Sequence, residues 1–156
     1  MDKVAKAVLS ISFVFYLLAL IVLLFLGNRG YIFADLSLIE YIKSSSNFHH
    51  HPFKTIITYV KAILDGSMNM DIPLKNLFGN FLMFLPMGIY LPCLIKKTKK
   101  VSIFLISMIT LLFIIEVIQV ITRRGSFDVD DFILNMLGAW IGFRIWKTKV
   151  IQKLLE

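Results

Sequence analysis

Only one of the 156 residues, Cys93, is a cysteine, so no internal disulfide is available and stability has to come from packing. Charge is scarce as well: 17% of the chain is Asp, Glu, Lys or Arg, against 58% apolar. The mean hydropathy is +0.79. These proportions exclude a cytosolic enzyme. In place of a charged surface the chain has apolar runs of about 20 residues, the length of helix that crosses roughly 30 Å of hydrocarbon at 1.5 Å per residue. There is no internal repeat and no sign of a second domain. The formal net charge of +7 does not point to nucleic acid, because the lysines stand at the ends of apolar segments instead of gathering on one folded face.

The expectation is an all-α polytopic membrane protein, a single domain over residues 1–156. It has four transmembrane helices at about 7–26, 76–95, 101–121 and 128–146, and an outer loop over 27–75. The first run, Ala7 to Leu26, is too long for a cleavable signal and no small-residue cleavage site follows it, so it reads as an uncleaved anchor. Orientation follows the basic residues. The turn Lys96-Lys97-Thr98-Lys99-Lys100 carries four, the N-terminus two, and the segment from Arg144 onward four, which places both termini in the cytoplasm. In the outer loop, Phe53, Ile56, Ile57, Val60, Ile63 and Leu64 recur at helical spacing among polar residues. They predict a short interfacial amphipathic helix with Pro52 at its start and Gly66 just past its end. A weaker amphipathic piece, Ile32 to Ile42, precedes it, and Ser44-Ser45-Ser46-Asn47 links the two.

Polar groups inside apolar helices cost several kcal/mol when they face lipid, so their positions carry information. Asn76 and Asn80 share a face of the second span, and Glu116, Gln119 and Arg123 share one on the third. On the fourth, Asp128, Asp131, Asn135, Gly138 and Gly142 follow one stripe. The polar end comes early in spans two and four but late in span three, and antiparallel packing brings such ends to one level. A polar pocket in the outer half, lined by three helices, is the inference. Gly138 and Gly142 read as a packing surface, and Pro86 as a kink where the Leu82 carbonyl loses its helical donor. His49-His50-His51 reads as a solvated segment, since adjacent histidines cannot all face one ion without strain.

These residues resemble the VanZ-like family of bacterial membrane proteins. The likeness runs through Pro52-Phe53-Lys54-Thr55-Ile56, Asn76-Leu77-Phe78-Gly79-Asn80, Phe84-Leu85-Pro86-Met87-Gly88 and Leu91-Pro92. It continues through Glu116-Val117-Ile118-Gln119, Arg124-Gly125-Ser126-Phe127-Asp128-Val129-Asp130-Asp131 and Asn135-Met136-Leu137-Gly138-Ala139. The resemblance implies a multi-pass protein of the bacterial cell membrane with a role at the cell envelope, in some members protection against glycopeptide antibiotics such as teicoplanin.

Two functions fit these residues. As an enzyme acting on the head group of an outer-leaflet phospholipid or lipid-linked cell-wall precursor, it would use Glu116 as general base, with Asp131 and Arg124 completing the catalytic set and Arg124 pairing with phosphate. Asn76, Asn80, Gln119, Asp128 and Asn135 would orient the substrate. Asp128 and Asp131 are the candidate ligands of a divalent cation, Mg²⁺ or Ca²⁺, whose charge arginine is equally able to supply. As a binding or shielding protein, it would hold lipid, precursor or antibiotic in the same pocket without turning it over.

Overall fold

The structure, a computed structural model, describes residues 3–26, 37, 39–41, 52–125 and 128–155. The His49-His50-His51 run, the Ser44 to Asn47 connector, most of the Ile32 to Ile42 piece and Ser126-Phe127 lie outside them. The described residues contain no strand; residues 39–41 are helical, and the other α-helices are α1 (Lys3–Ile21), α2 (Lys54–Asp65), α3 (Asp71–Leu94), α4 (Val101–Ile121), α5 (Val129–Trp146) and α6 (Lys149–Leu155). A π-helical segment, Val22–Leu26, extends α1, and a 3-10 turn, Lys96–Lys99, joins α3 to α4. Three helices are long and apolar enough to cross a membrane: Lys3–Leu26, Asp71–Leu94 and Val101–Ile121. The fourth expected span is α5, whose 18 residues include Asp130, Asp131 and Arg144 and so fall short of that apolarity. Large apolar side chains such as Phe15, Leu18, Ile106 and Phe113 are exposed on the helix flanks, a distribution that suits lipid and not water.

Helix boundaries follow local chemistry. Helix α2 ends at Gly66 in the left-handed region (φ 68°), where its N–H donates to the Ala62 carbonyl, as expected for a glycine just past a helix end. Helix α4 spans Val101–Ile121 as anticipated, whereas α3 begins at Asp71, five residues before Asn76. The extra turn is held by Asn69, whose side-chain oxygen accepts from the Asp71 N–H (3.1 Å), and by the Asp71–Lys75 ion pair (3.6 Å). Pro73 falls in that first turn, where a missing N–H removes no helical bond. Asp128 stands outside α5 as its N-cap, accepting from the Asp130 N–H (2.8 Å).

The tightest packing joins α3 to α5. A Cβ on Gly138 would lie 1.9 Å from the Phe81 carbonyl oxygen, on Gly142 2.0 Å from that of Leu85, and on Gly88 2.0 Å from that of Ala139. The two backbones therefore touch directly, which is what small residues four apart permit between membrane helices. Because Phe81 meets Gly138 and Leu85 meets Gly142, the helices run parallel, as chain segments separated by one returning helix must. Helix α1 attaches to α3 through Tyr16, whose hydroxyl donates to the Met83 carbonyl (2.7 Å) beside the Pro86 site, and through the ring contacts of Phe13 and Tyr16 with Tyr90.

The core is divided along its length. Phe84, Met87, Phe104, Met108, Leu112, Phe143 and Trp146 fill the half toward the lysine-rich turn, with Phe104 and Phe143 stacked 4.3 Å apart. In the other half the buried polar residues are Asn80, Glu116, Gln119, Asp128, Asp130 and Asn135, beside the buried Leu24, Tyr41 and Ala62.

Candidate functional site

The polar half of the core is built where α2, α3 and α5 meet. Asn80 Nδ2 donates to Asp131 Oδ1, joining α3 to α5 at the level where those helices begin to converge. Asn135 lies one turn further along α5 and is 4% exposed. Its Oδ1 has no hydrogen-bond donor among the described residues, at an ordinary cost of about 1–3 kcal/mol for a buried polar atom. Glu116 is 4% exposed on the inward stripe of α4, in line with Phe104, Met108 and Leu112. None of these groups faces lipid: three chain crossings turn carboxylate and carboxamide inward in the same half of the bundle.

Other expected site residues have structural partners. Gln119 Nε2 donates to the Leu24 carbonyl (3.1 Å) in the π-helical segment that extends α1. Asn76 Nδ2 donates to its own helix at Ile72 (2.9 Å), so it does not reach across to α5. Asp128 caps α5 with Oδ1 and accepts from Thr55 Oγ1 with Oδ2 (3.3 Å). Arg123 and Arg124 are half-buried in the turn after α4. There the Arg124 N–H donates to the Gln119 carbonyl (2.8 Å) and the Arg123 N–H to that of Val120 (3.1 Å). This pair of bonds is the Schellman arrangement, with Arg123 at φ 55° in the position that usually holds glycine. The Gly125 carbonyl accepts from the Tyr41 hydroxyl (3.1 Å), which fastens the outer loop to this turn.

The sequence reading missed Asp130, the most deeply buried of the acids at 1% exposure. Its Oδ1 accepts from the Phe53 N–H, and its Oδ2 from those of Thr55 (2.7 Å) and Ile56 (3.1 Å). Phe53, at φ 67°, precedes a right-handed helix, and that reversal of hand makes successive N–H groups converge into an anion-holding nest. The side chain that fills it comes from α5. The signal was available: Pro52-Phe53-Lys54-Thr55 opens a helix without a Ser, Thr, Asp or Asn at the N-cap, so its first N–H groups need an acceptor from elsewhere. Tyr59, on the same helix, was also missed. Burial pushes its phenol above the ordinary value, and the nearby negative charges of Asp131 and Asp128 push it further.

Among the described residues no three His, Cys, Asp or Glu side chains group as metal ligands; of the two candidate cation ligands, Asp128 accepts from the Asp130 N–H and the Thr55 hydroxyl, and Asp131 from Asn80 Nδ2. Helix α5 also carries an apolar groove of about 410 Å³ lined by Phe132, Ile133, Met136, Leu137 and Trp140.

No curated protein and no solved structure matches the chain. A family model described as VanZ/LLP1 matches residues 13–152, which include all of the helices that build the polar half of the core. With nearly the whole chain matched and the membrane helices in place, the protein belongs to the VanZ/LLP1 family.

Proposed function

We propose that this VanZ-like membrane protein acts on the polar head group of an outer-leaflet lipid, a phospholipid or a lipid-linked cell-wall precursor, from the bacterial cytoplasmic membrane. The observation that carries the reading is the burial of Asn80, Glu116 and Asn135 on three helices in one half of the bundle, with Asn135 Oδ1 lacking a donor among the described residues. Packing gains nothing from such an acceptor, whereas a hydroxyl or amine of a bound head group satisfies it. Glu116 acts as general base, Asp131 is held in position by Asn80, and Arg124 takes the phosphate charge. Gln119, Asp128 and Asp130 hold helices together, so the substrate contacts fall to Asn80, Asn135 and Tyr59. The apolar groove beside Asp131 and Asn135 receives an acyl chain. No divalent cation is required, because arginine supplies the neutralising charge.

The test is turnover. Wild type and Glu116→Gln, purified into lipid containing labelled phospholipids and lipid-linked precursors, are assayed for head-group loss or exchange by mass spectrometry. Product from wild type alone supports catalysis; equal retention of substrate by both, with no product, replaces the enzyme with a binding or shielding protein. Teicoplanin susceptibility of cells expressing either form then reports whether the activity protects the envelope. The orientation is tested with single cysteines at Ser45, Ser126 and the exposed Lys97 in a Cys93→Ser background: an impermeant reagent on intact cells labels the first two and spares the third.

A further inference from the structure

At the end of the bundle opposite the polar cluster, two basic segments distant in sequence are held side by side. The turn between α3 and α4 is fixed by Thr98, 3% exposed, whose hydroxyl and N–H both donate to the Ile95 carbonyl (2.8 and 3.1 Å). Its lysines therefore project from a rigid base. Across from it, the end of α5 is pinned by the Lys147 N–H donating to the Phe143 carbonyl (3.1 Å) and by Gln152 Nε2 donating to that of Trp146 (2.9 Å). Lys99 Nζ sits 5.8 Å from the Trp146 ring centroid and Lys147 Nζ 5.3 Å from that of Phe143. Those two rings are themselves in contact, 5.6 Å between centroids. Two ammonium groups are thus anchored on adjoining aromatic faces, an arrangement that tethers a cation without neutralising it.

Among the described residues no acidic side chain comes from the segments that build this end: Leu82 to Ile115 and Phe132 to Leu155 contain no Asp or Glu, while Lys96, Lys97, Lys100 and Lys149 add to the positive field. Like charges gathered in this way repel, and an anion placed among them removes the repulsion. Ile95 and Val150, 47% and 75% exposed, flank the lysines with apolar surface, and Trp146 is of the type that settles at the membrane interface. Phosphate chemistry beside an exposed apolar flank at that depth describes a lipid.

We propose that Lys99 and Lys147 form a binding site for the phosphate of an anionic phospholipid in the leaflet at this end of the bundle. A topological signal requires only the number of charges, whereas this site requires these two lysines. The purified protein, in bilayer nanodiscs of phosphatidylcholine with or without phosphatidylglycerol, is examined by native mass spectrometry for retained lipid. Wild type retains phosphatidylglycerol preferentially. At about fivefold per lysine, Lys99→Gln with Lys147→Gln lowers that preference roughly 25-fold, and arginine at both positions restores it. Lys97→Gln with Lys149→Gln removes as much charge and changes the preference by less than about fivefold. Equal losses from the two pairs, failure of the arginine pair to restore retention, retention of phosphatidylcholine as strong as that of phosphatidylglycerol, or displacement of the lipid by inorganic phosphate alone each overturn the proposal.

Discussion

Removing the Asp130 carboxylate tests whether α2 owes its place to a side chain from α5. Three backbone N–H groups at the start of α2 converge on that carboxylate. Charge-assisted bonds contribute about 1.5 kcal/mol each at the low end, so Asp130→Ala removes roughly 4 kcal/mol of docking free energy. Asp130→Asn keeps a carbonyl oxygen that replaces Oδ2 and still accepts from Thr55 and Ile56, now at about 1 kcal/mol apiece, while its amide N–H₂ confronts the Phe53 donor. Its loss is about half as large. Cys93 is the chain's one cysteine and is half-buried in α3, so a thiol-reactive fluorophore reports the thermal transition in micelles without an added probe. Trypsin at Lys54 and Lys61 reports α2 separately. The alanine variant loses most stability, the asparagine variant about half as much, and in both α2 is cut before the bundle melts. As a control, Asp65→Ala at the exposed far end of α2 changes stability by less than about 0.5 kcal/mol. An alanine variant indistinguishable from that control, or alanine and asparagine variants equal to one another, refutes the capping account.

Gly142→Ala forces a methyl group to within 2.0 Å of the Leu85 carbonyl oxygen and destabilises by about 1–3 kcal/mol or more. Gly79→Ala on α3 meets nothing within 4 Å and stabilises by up to about 1 kcal/mol, so opposite signs in the same melting assay check the helix contact. At Arg123, φ 55° makes glycine the better residue: Arg123→Gly is expected to be about 1 kcal/mol more stable than Arg123→Ala, because both lose the side chain and only alanine keeps the left-handed cost. The Tyr59 phenol is raised above its ordinary 10.0 by burial and then by the negative charges of Asp131 and Asp128. Above pH 10 the folded state therefore holds a proton that the unfolded chain releases. Stability is whole below that pH and falls as pH rises toward the folded value, a loss that Tyr59→Phe makes less steep in alkaline melting curves.

Helix positions were open to sequence reading because they rest on local quantities. Apolar run length set α1 and α4, and helical periodicity bounded by Pro52 and Gly66 set α2 to within a residue or two. Inward stripes were equally readable, since a helix fixes which residues share a face: Glu116 and Gln119 are both buried on α4, and Asn135, Gly138 and Gly142 on α5. The start of α3 was misplaced because Asp71 and Lys75 look like loop residues until their ion pair is seen.

What spacing alone does not contain is the identity of a partner across the bundle. Gln119 and Glu116 share a face, yet one is tied to the Leu24 carbonyl of α1 and the other lies in the polar core, a difference made by what stands opposite each. Asp130 sits off the stripe of Asp128, Asp131 and Asn135, and only the placement of α2 against α5 gives its carboxylate three donors. The glycines announced a close contact, but their choice of α3, in parallel, was settled by packing. By itself the sequence determined where α1 to α5 lie to within a few residues, though not α6, that three of them are apolar enough for lipid, and which faces turn inward, all consequences of hydrophobicity and a 3.6-residue period. Tertiary structure decided which polar group bonds to which neighbouring helix, because a hydrogen bond joins specific atoms about 3 Å apart and no property of one segment specifies the other.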